Sequence, residues 1–294
     1  MLSATNGESG NYGFYPYPAI VFDQTLKVSE SKLPPRFRVF PHLQAIGSGE
    51  FAFSQLLDST RNIRQPIYIV DLRGEYHGFI NGGIPVSLLN KQDYLNKCEN
   101  SHRLMEFEVD WLQKQLLHRQ VNLIHRDKSK PKYFENSEED KGIWGMTQKI
   151  EIKNVVTEKS LVTELGFLYE RIPVLDHFKP TAEEVDRFIQ IYQRLPKNTW
   201  IYVHCHGGAG RTTTFLAMID ILKNSKNTEL YSILQNQHAN EGRNLYYINP
   251  DRPTWFRKAA QGRFAFLKKF YQYINSKEYA NGISWLVYEK SGSS

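Results

Sequence analysis

The sequence predicts an α/β fold, and three observations carry that reading. Short apolar runs rich in β-branched and aromatic residues alternate with longer segments whose apolar residues recur at helical spacing. Two of those runs, PIYIVDLR (Pro66–Arg73) and TWIYVH (Thr199–His204), are almost continuously apolar, as buried strands are. The second leads straight into a glycine-dense turn and then into a helical pattern. With 294 residues, 40% hydrophobic and 13% aromatic, the chain has material for a sizeable core. The length fits one large domain or a domain with a substantial insertion.

Taken in order, residues 1–30 are polar, aromatic and irregular and are expected to form a surface arm, with the main domain spanning 31–290. PIYIVDLR is the first clear strand. EYHGFINGGIPVSLL follows, and its glycines mark tight turns. RLMEFEVDWLQKQLLHRQV sets Leu104, Phe107, Trp111 and Leu112 at helical spacing and is expected to be a helix. Residues 127–160 mix charge, turn residues and alternating apolar side chains, as loops and short strands do. The turn-rich composition over about 75–160 predicts a smaller β-rich insertion.

GFLYERIPV then reads as a short strand and DHFKPT as a loop holding Pro180. TAEEVDRFIQIYQRL opens with Thr181 and Glu184 spaced for a capping box, and Val185, Phe188, Ile189 and Tyr192 share one helix face. RTTTFLAMIDILKN is a helix with Phe215, Met218, Ile219 and Leu222 on one side. From Thr228 onward the pattern is mainly helical, ending in RFAFLKKFYQYINS, and there is no internal repeat or low-complexity segment.

Charged residues make up 23% of the chain and are spread along it, which fits a soluble globular protein rather than a disordered one. No apolar run approaches the roughly 20 residues needed to span a membrane. The N-terminal segment lacks a basic stretch followed by an apolar one, so the location stays open between the cytoplasm and export without a recognisable signal. Net charge is +6 and the basic residues are scattered, which points to an anionic ligand and not to nucleic acid. The two cysteines, Cys98 and Cys205, read as free thiols.

The chemistry concentrates in VHCHGGAGRTTTF, Val203–Phe215. Cys205 ends a buried strand and Arg211 opens a helix. Between them His206, Gly207, Gly208, Ala209 and Gly210 form a strand–loop–helix turn. Glycines there let successive N–H groups point into one concavity, and such a nest at a helix N-terminus binds phosphate. The same field stabilises a thiolate. Arg211 supplies a planar fork for two phosphate oxygens. Together they place the sulfur for in-line attack and a phosphocysteine intermediate. A hydroxyl hydrogen bond from Thr212 to the sulfur eases its departure in the second step. A buried structural cysteine beside a glycine turn is the plainer alternative. It leaves the strand, the glycines and the arginine unexplained.

HCHGGAGRT resembles the His-Cys-x5-Arg-Ser/Thr signature of the cysteine-dependent phosphatases of the protein tyrosine phosphatase superfamily. LPPRFRVF, GSGEFAFSQL, IYIVDLRGEYHGFING and LDHFKP together resemble the tyrosine-phosphatase-like phytases, bacterial enzymes that dephosphorylate inositol polyphosphates; the likeness covers residues 31–275. It implies a protein-tyrosine-phosphatase-like α/β domain with a central mixed sheet flanked by helices. It also implies a phosphomonoesterase with no metal or cofactor and a small polyanionic substrate, an inositol phosphate or a phosphoinositide headgroup. The loop interior departs from the expected Glu-Ala-Gly-Val-Gly, and His206 in place of an acid makes the pocket more basic.

In the superfamily an upstream aspartate on a mobile loop protonates the leaving oxygen. The phytase motif Asp-His-x-x-Pro matches Asp176, His177 and Pro180. Asp176 is thus expected as general acid and then base, with His177 orienting the leaving group or water. The plain alternative is a carboxylate ahead of a helix. Asp71, Arg73, Glu75 and His77 either brace the phosphate loop or form a structural ion-pair network. Arg38, Lys258 and Arg263 fall near the family's basic substrate contacts, with solvated surface charge as their alternative. His204 is expected to orient the loop from beneath. Rival readings are a phosphoinositide lipid phosphatase, a protein tyrosine or dual-specificity phosphatase, and a pseudo-phosphatase that binds phosphate without turnover. Intact Cys205, Arg211 and Asp176 count against the last.

Overall fold

The computed structural model describes residues 11–16, 18–23, 31–89, 101–127 and 142–291. Cys98 lies outside them. In chain order the strands are β1 (Tyr12–Pro16), β2 (Ala19–Phe22), β3 (Arg38–Phe40), β4 (Ala45–Ser48), β5 (Ile67–Arg73), β6 (His77–Ile80), β7 (Ile84–Leu89), β8 (Gln120–Arg126), β9 (Gly142–Glu151), β10 (Val155–Val156), β11 (Leu168–Val174) and β12 (Trp200–His204). The chain divides into two compact units. One comprises Met1–Pro34, Glu50–Arg61 and Glu75–Gly166, the other Pro35–Gly49, Asn62–Gly74 and Phe167–Ser294.

The first unit holds a seven-stranded sheet in the order β1-β9-β8-β2-β7-β6-β10. All its pairs are antiparallel except β2–β8. Residues 12–22, expected to be irregular, carry two strands of it. Ala19 and Val21 turn inward to a small core with Leu89, Ile124 and Ile143, which is what holds β2 in place. The helix expected from residue 103 through 121 ends sooner. Ser101–Asp110 is α-helical, Trp111–Leu116 widens to a π-helix, and β8 begins at Gln120. Burying Trp111, Leu112 and Leu116 in one core sets the wider turn, and the left-handed φ of His118 ends it.

The second unit is a five-stranded mixed sheet in the order β11-β5-β12-β4-β3, parallel except for the antiparallel edge strand β3. Its strands are apolar because the sheet is covered. Val70, Leu72, Ile172, Val174, Ile201 and Val203 join Phe188, Phe215, Leu216 and Phe266 in one core. The helix Ala182–Arg194 starts at a complete capping box, with Glu184 N–H donating to Thr181 Oγ1 (3.3 Å) and Thr181 N–H to Glu184 Oε2 (2.8 Å). The helix Gly210–Asn224 is buried from Arg211 through Ile221 and packs on β4 and β12. Its apolar part, Phe215–Ile219, is buried on every side, as such a run requires. Truncating Phe215 there to alanine would cost about 3–5 kcal/mol. Leu230–Ala239, Thr254–Ile274, Lys277–Ala280 and Trp285–Ser291 complete the unit. The Asp186 carboxylate accepts the N–H groups of Trp285 (2.7 Å) and Leu286 (3.1 Å), capping the last helix. No helix among the described residues is long and apolar enough to cross a membrane.

Because β11, β5, β12 and β4 run parallel, their carboxyl ends Val174, Arg73, His204 and Ser48 lie along one edge of the sheet. In open α/β sheets that edge is where ligands bind.

Candidate active site

Every element of the site belongs to the second unit and leaves that sheet edge. Cys205 follows β12 directly and is 3% exposed. The chain then rounds through residues 206–209 and enters the helix Gly210–Asn224, whose N-cap Ala209 makes no side-chain cap bond and whose first turn holds no acid. The orphan N–H groups of such a helix start favour an anion. Gly208 adopts φ +65°, and a Cβ there would sit 2.4 Å from the Gly49 nitrogen. Only glycine lets the loop press this closely on the end of β4.

Thr212 Oγ1 lies 3.1 Å from Cys205 Sγ and 3.1 Å from the Ser48 carbonyl oxygen. A hydroxyl has one hydrogen, so it serves one acceptor at a time and can turn to the sulfur when the sulfur is anionic. Arg211 is buried. Its Nη1 donates to the carbonyls of Leu72 (3.2 Å) and Val174 (3.1 Å), and its Nη2 sits 3.2 Å from Asp176 Oδ1. The guanidinium is therefore fixed by two strand ends and faces the loop after β11.

That loop carries Asp176 and His177, both half-buried. His177 donates its N–H to Asp176 Oδ1 (3.0 Å), and its Nε2 lies 3.2 Å from Oδ2. His177 has φ +70°, a costly conformation for a side-chain-bearing residue, held only where the surroundings over-determine it. Arg263 Nη2 donates to the His177 carbonyl and secures the turn.

Two further guanidiniums are buried at the loop, so neither is the solvated surface charge of the alternative reading. Arg38 is 4% exposed and donates Nη1 to the carbonyls of Gly208 (3.0 Å) and Arg36 (2.8 Å), and Nη2 to Thr213 Oγ1 (3.1 Å). Arg263 is also 4% exposed and lies where a Cβ on Gly210 would come within 3.0 Å of its Nη1. Burial pushes the ionisation of each down to about 10, and the charge of Cys205 acts in the opposite sense on both. Neither Nε has a hydrogen-bond partner among the described residues. Lys258 stands exposed on the helix Thr254–Ile274 and bonds to none of these groups.

Asp71, Arg73 and His204 lie beneath the loop. Asp71 is fully buried, accepts the Arg73 N–H (2.8 Å) and the Tyr169 hydroxyl (3.0 Å), and pairs with Arg171 Nε at 3.2 Å. His204 Nε2 lies 3.9 Å from Asp71 Oδ1. This network ties β5, β11 and β12 together just before Cys205. Glu75 and His77 belong to the first unit. There the two His77 ring nitrogens bond the Glu75 carbonyl (Nδ1, 3.0 Å) and Glu158 Oε2 (Nε2, 2.9 Å). Glu50, His77 and Glu158 bring three ligand-type atoms within 4.8 Å of one another. With both imidazole nitrogens engaged, the trio has the geometry of a hydrogen-bonded core cluster.

Sequence reasoning missed three participants. Thr213 Oγ1 accepts from Arg38 and from the Arg243 N–H (3.0 Å) and donates to the Ala209 carbonyl, so it joins the loop to two arginines. Trp255 and Phe256 set their rings against His177, with centroids 5.6 and 5.2 Å away. Thr213 stood in view in the RTTT run. The two aromatics had no local signal.

The PTPlike_phytase family, described as "Inositol hexakisphosphate", matches residues 70–223. The effector protein hopD2 of Pseudomonas syringae pv. tomato is 28% identical over 222 residues, 75% of this chain and 45% of that protein. Among solved structures, the PTP-like myo-inositol phosphatase from Mitsuokella multacida in complex with myo-inositol-(1,3,4,5)-tetrakisphosphate gives a TM-score of 0.82 at 25% identity, covering 96% of this chain and 49% of that one. A PTP-like phytase from Bdellovibrio bacteriovorus gives 0.68 at 27% identity, covering 92% of each chain. The chain spans about half the length of hopD2 and of the Mitsuokella protein.

Proposed function

The chain belongs to the protein-tyrosine-phosphatase-like phytase family, and on that premise we propose that it removes phosphate from inositol polyphosphates through a phosphocysteine intermediate. The observation that carries the reading is the convergence of Cys205 Sγ, the Thr212 hydroxyl, the Arg211 guanidinium and the Asp176 carboxyl at one sheet edge. The Cys205 thiolate attacks phosphorus, and the S–P bond forms as the bond to the inositol oxygen breaks. That oxygen takes the electron pair and the proton of Asp176. Arg211 holds two of the non-bridging oxygens, giving up its contact with Asp176 as the phosphate arrives. Water then attacks phosphorus and gives its proton to Asp176. The S–P bond breaks, and the thiolate is received by the Thr212 hydroxyl.

In this reading Arg38 and the network of Asp71, Arg73 and His204 hold the loop in shape, and they touch no substrate. Arg263 holds the acid loop while adding positive field at the sulfur. The polyanionic substrate class is supported by three things: the family's description, the ligand bound by the Mitsuokella protein, and a group of guanidiniums in which Arg36 and Arg252 lower the ionisation of Arg243, and Arg243 that of Arg263. Phosphate release from phytate, phosphoinositide vesicles and a phosphotyrosine peptide, each with and without EDTA, tests it. Phytate should be fastest and EDTA without effect. A preference for the peptide or the vesicles would hand the assignment to a protein or lipid phosphatase, and inactivation by EDTA would refute the metal-free mechanism.

A further inference from the structure

Phe256 stands where four side chains meet. The Arg243 guanidinium carbon lies over its ring at 5.0 Å from the centroid, and that of Arg252 at 5.2 Å. The His177 ring is 5.2 Å away, tilted by 56°, and the Trp255 ring 5.6 Å. Neither arginine bonds a carboxylate among the described residues. Arg243 is half-buried, and burial first, then Arg252 and Arg36, push its ionisation down. The ring's negative face offsets part of the cost of holding two like charges together. The remainder calls for an anion. Another neighbour, His177, keeps its left-handed backbone through supports that include the Arg263 bond, the Asp176 carboxylate and these aromatic rings.

We infer that Phe256 is a positioning residue that couples anion binding at Arg243 and Arg252 to the placement of His177 and, through it, of Asp176. The inference rests on Asp176 being the general acid. A non-reacting phosphate of the substrate, bound by the two guanidiniums, fixes the arginines on the ring. The ring in turn fixes His177, whose contact with Asp176 aims the carboxyl at the leaving oxygen. A substrate with one phosphate leaves that link idle.

The test compares wild type, Phe256→Leu, Phe256→Tyr, Asp176→Asn and the double variant Asp176→Asn/Phe256→Leu on phytate and on 4-nitrophenyl phosphate, whose leaving group needs no proton. Phe256→Leu should lower kcat for phytate about tenfold or more and leave the aryl phosphate within about twofold, as a misplaced but intact acid would. Phe256→Tyr, which keeps the ring, should restore phytate turnover. The double variant should be no slower on phytate than Asp176→Asn alone, because both changes remove one function. Equal losses on both substrates, failure of tyrosine to rescue, or additive losses would overturn the inference. If Asp176→Asn discriminates between the substrates and Phe256→Leu does not, Phe256 alone loses its role. If Asp176→Asn harms both alike, the acid assignment falls and takes the inference with it.

Discussion

Charge is buried in both units, but in the second, around Cys205, part of it is left open. In the first, His77 is 1% exposed, its backbone N–H bonds Glu108 Oε1 at 2.9 Å, and its ring bonds Glu158, so acid faces imidazole inside the core. In the second, Arg38 and Arg263 bond carbonyl oxygens and a hydroxyl, and no carboxylate among the described residues. Carbonyl dipoles satisfy N–H groups without cancelling a charge. What is left over is a positive field at Cys205, and its natural complement is a thiolate or a phosphate. The His77 cluster serves the fold, whereas Arg38 and Arg263 hold the loop and its surroundings while leaving that field for an anion.

His77→Leu tests the balanced side and should give the largest effect. It removes the imidazole that bonds Glu158 Oε2 while the backbone N–H to Glu108 remains, and breaking that buried pair costs about 3–5 kcal/mol of stability, read by denaturant titration. Turnover per folded molecule should stay within about twofold, the two effects being independent. A fall in kcat with unchanged stability would move the DLRGEYH charges into the catalytic machinery. On the open side, Arg211→Lys keeps the charge but loses the planar fork. It should lower kcat/KM for a simple aryl phosphate about 10²–10³-fold, with a smaller change in melting temperature than His77→Leu. A loss no larger than a few-fold would mean that net charge alone suffices.

Glu184 sharpens the rule with the smallest effect. It is a charge in the second unit away from the loop, and burial pushes its carboxyl up to about 7, against the lowering effect of the Thr181 N–H. The folded state therefore keeps the proton longer than the unfolded chain, and stability should fall as pH rises from 4.5 to about 7. Glu184→Gln retains the capping oxygen without the charge and should flatten that slope while leaving kcat unchanged. A pH slope equal to wild type would show that Glu184 is not the titrating group, and a change in kcat would break the link between open charge and the site alone.

What could be read from the sequence is what is local in it. The Cys205 loop packs thiol, glycines, arginine and threonine into residues 205–212, and the capping box needs only Thr181 and Glu184. The strands within residues 12–22 could not be read, because they exist through pairing with β7, β8 and β9, far along the chain. Arg38 was legible as a residue of the site but not as a brace, since its acceptors Gly208 and Thr213 lie 170 and 175 positions away. Phe256 and Arg243 sit in no motif, and only the fold sets them beside His177.

The central claim is that Cys205 carries the phosphoryl group during turnover. Mass spectrometry of the full chain, denatured while it is turning over phytate and then digested, tests this directly. The account predicts one phosphoryl group on the peptide containing Cys205, absent from Cys205→Ser, which still binds phosphate but releases none from substrate. Turnover with no covalent adduct, or an adduct on another residue, would contradict it.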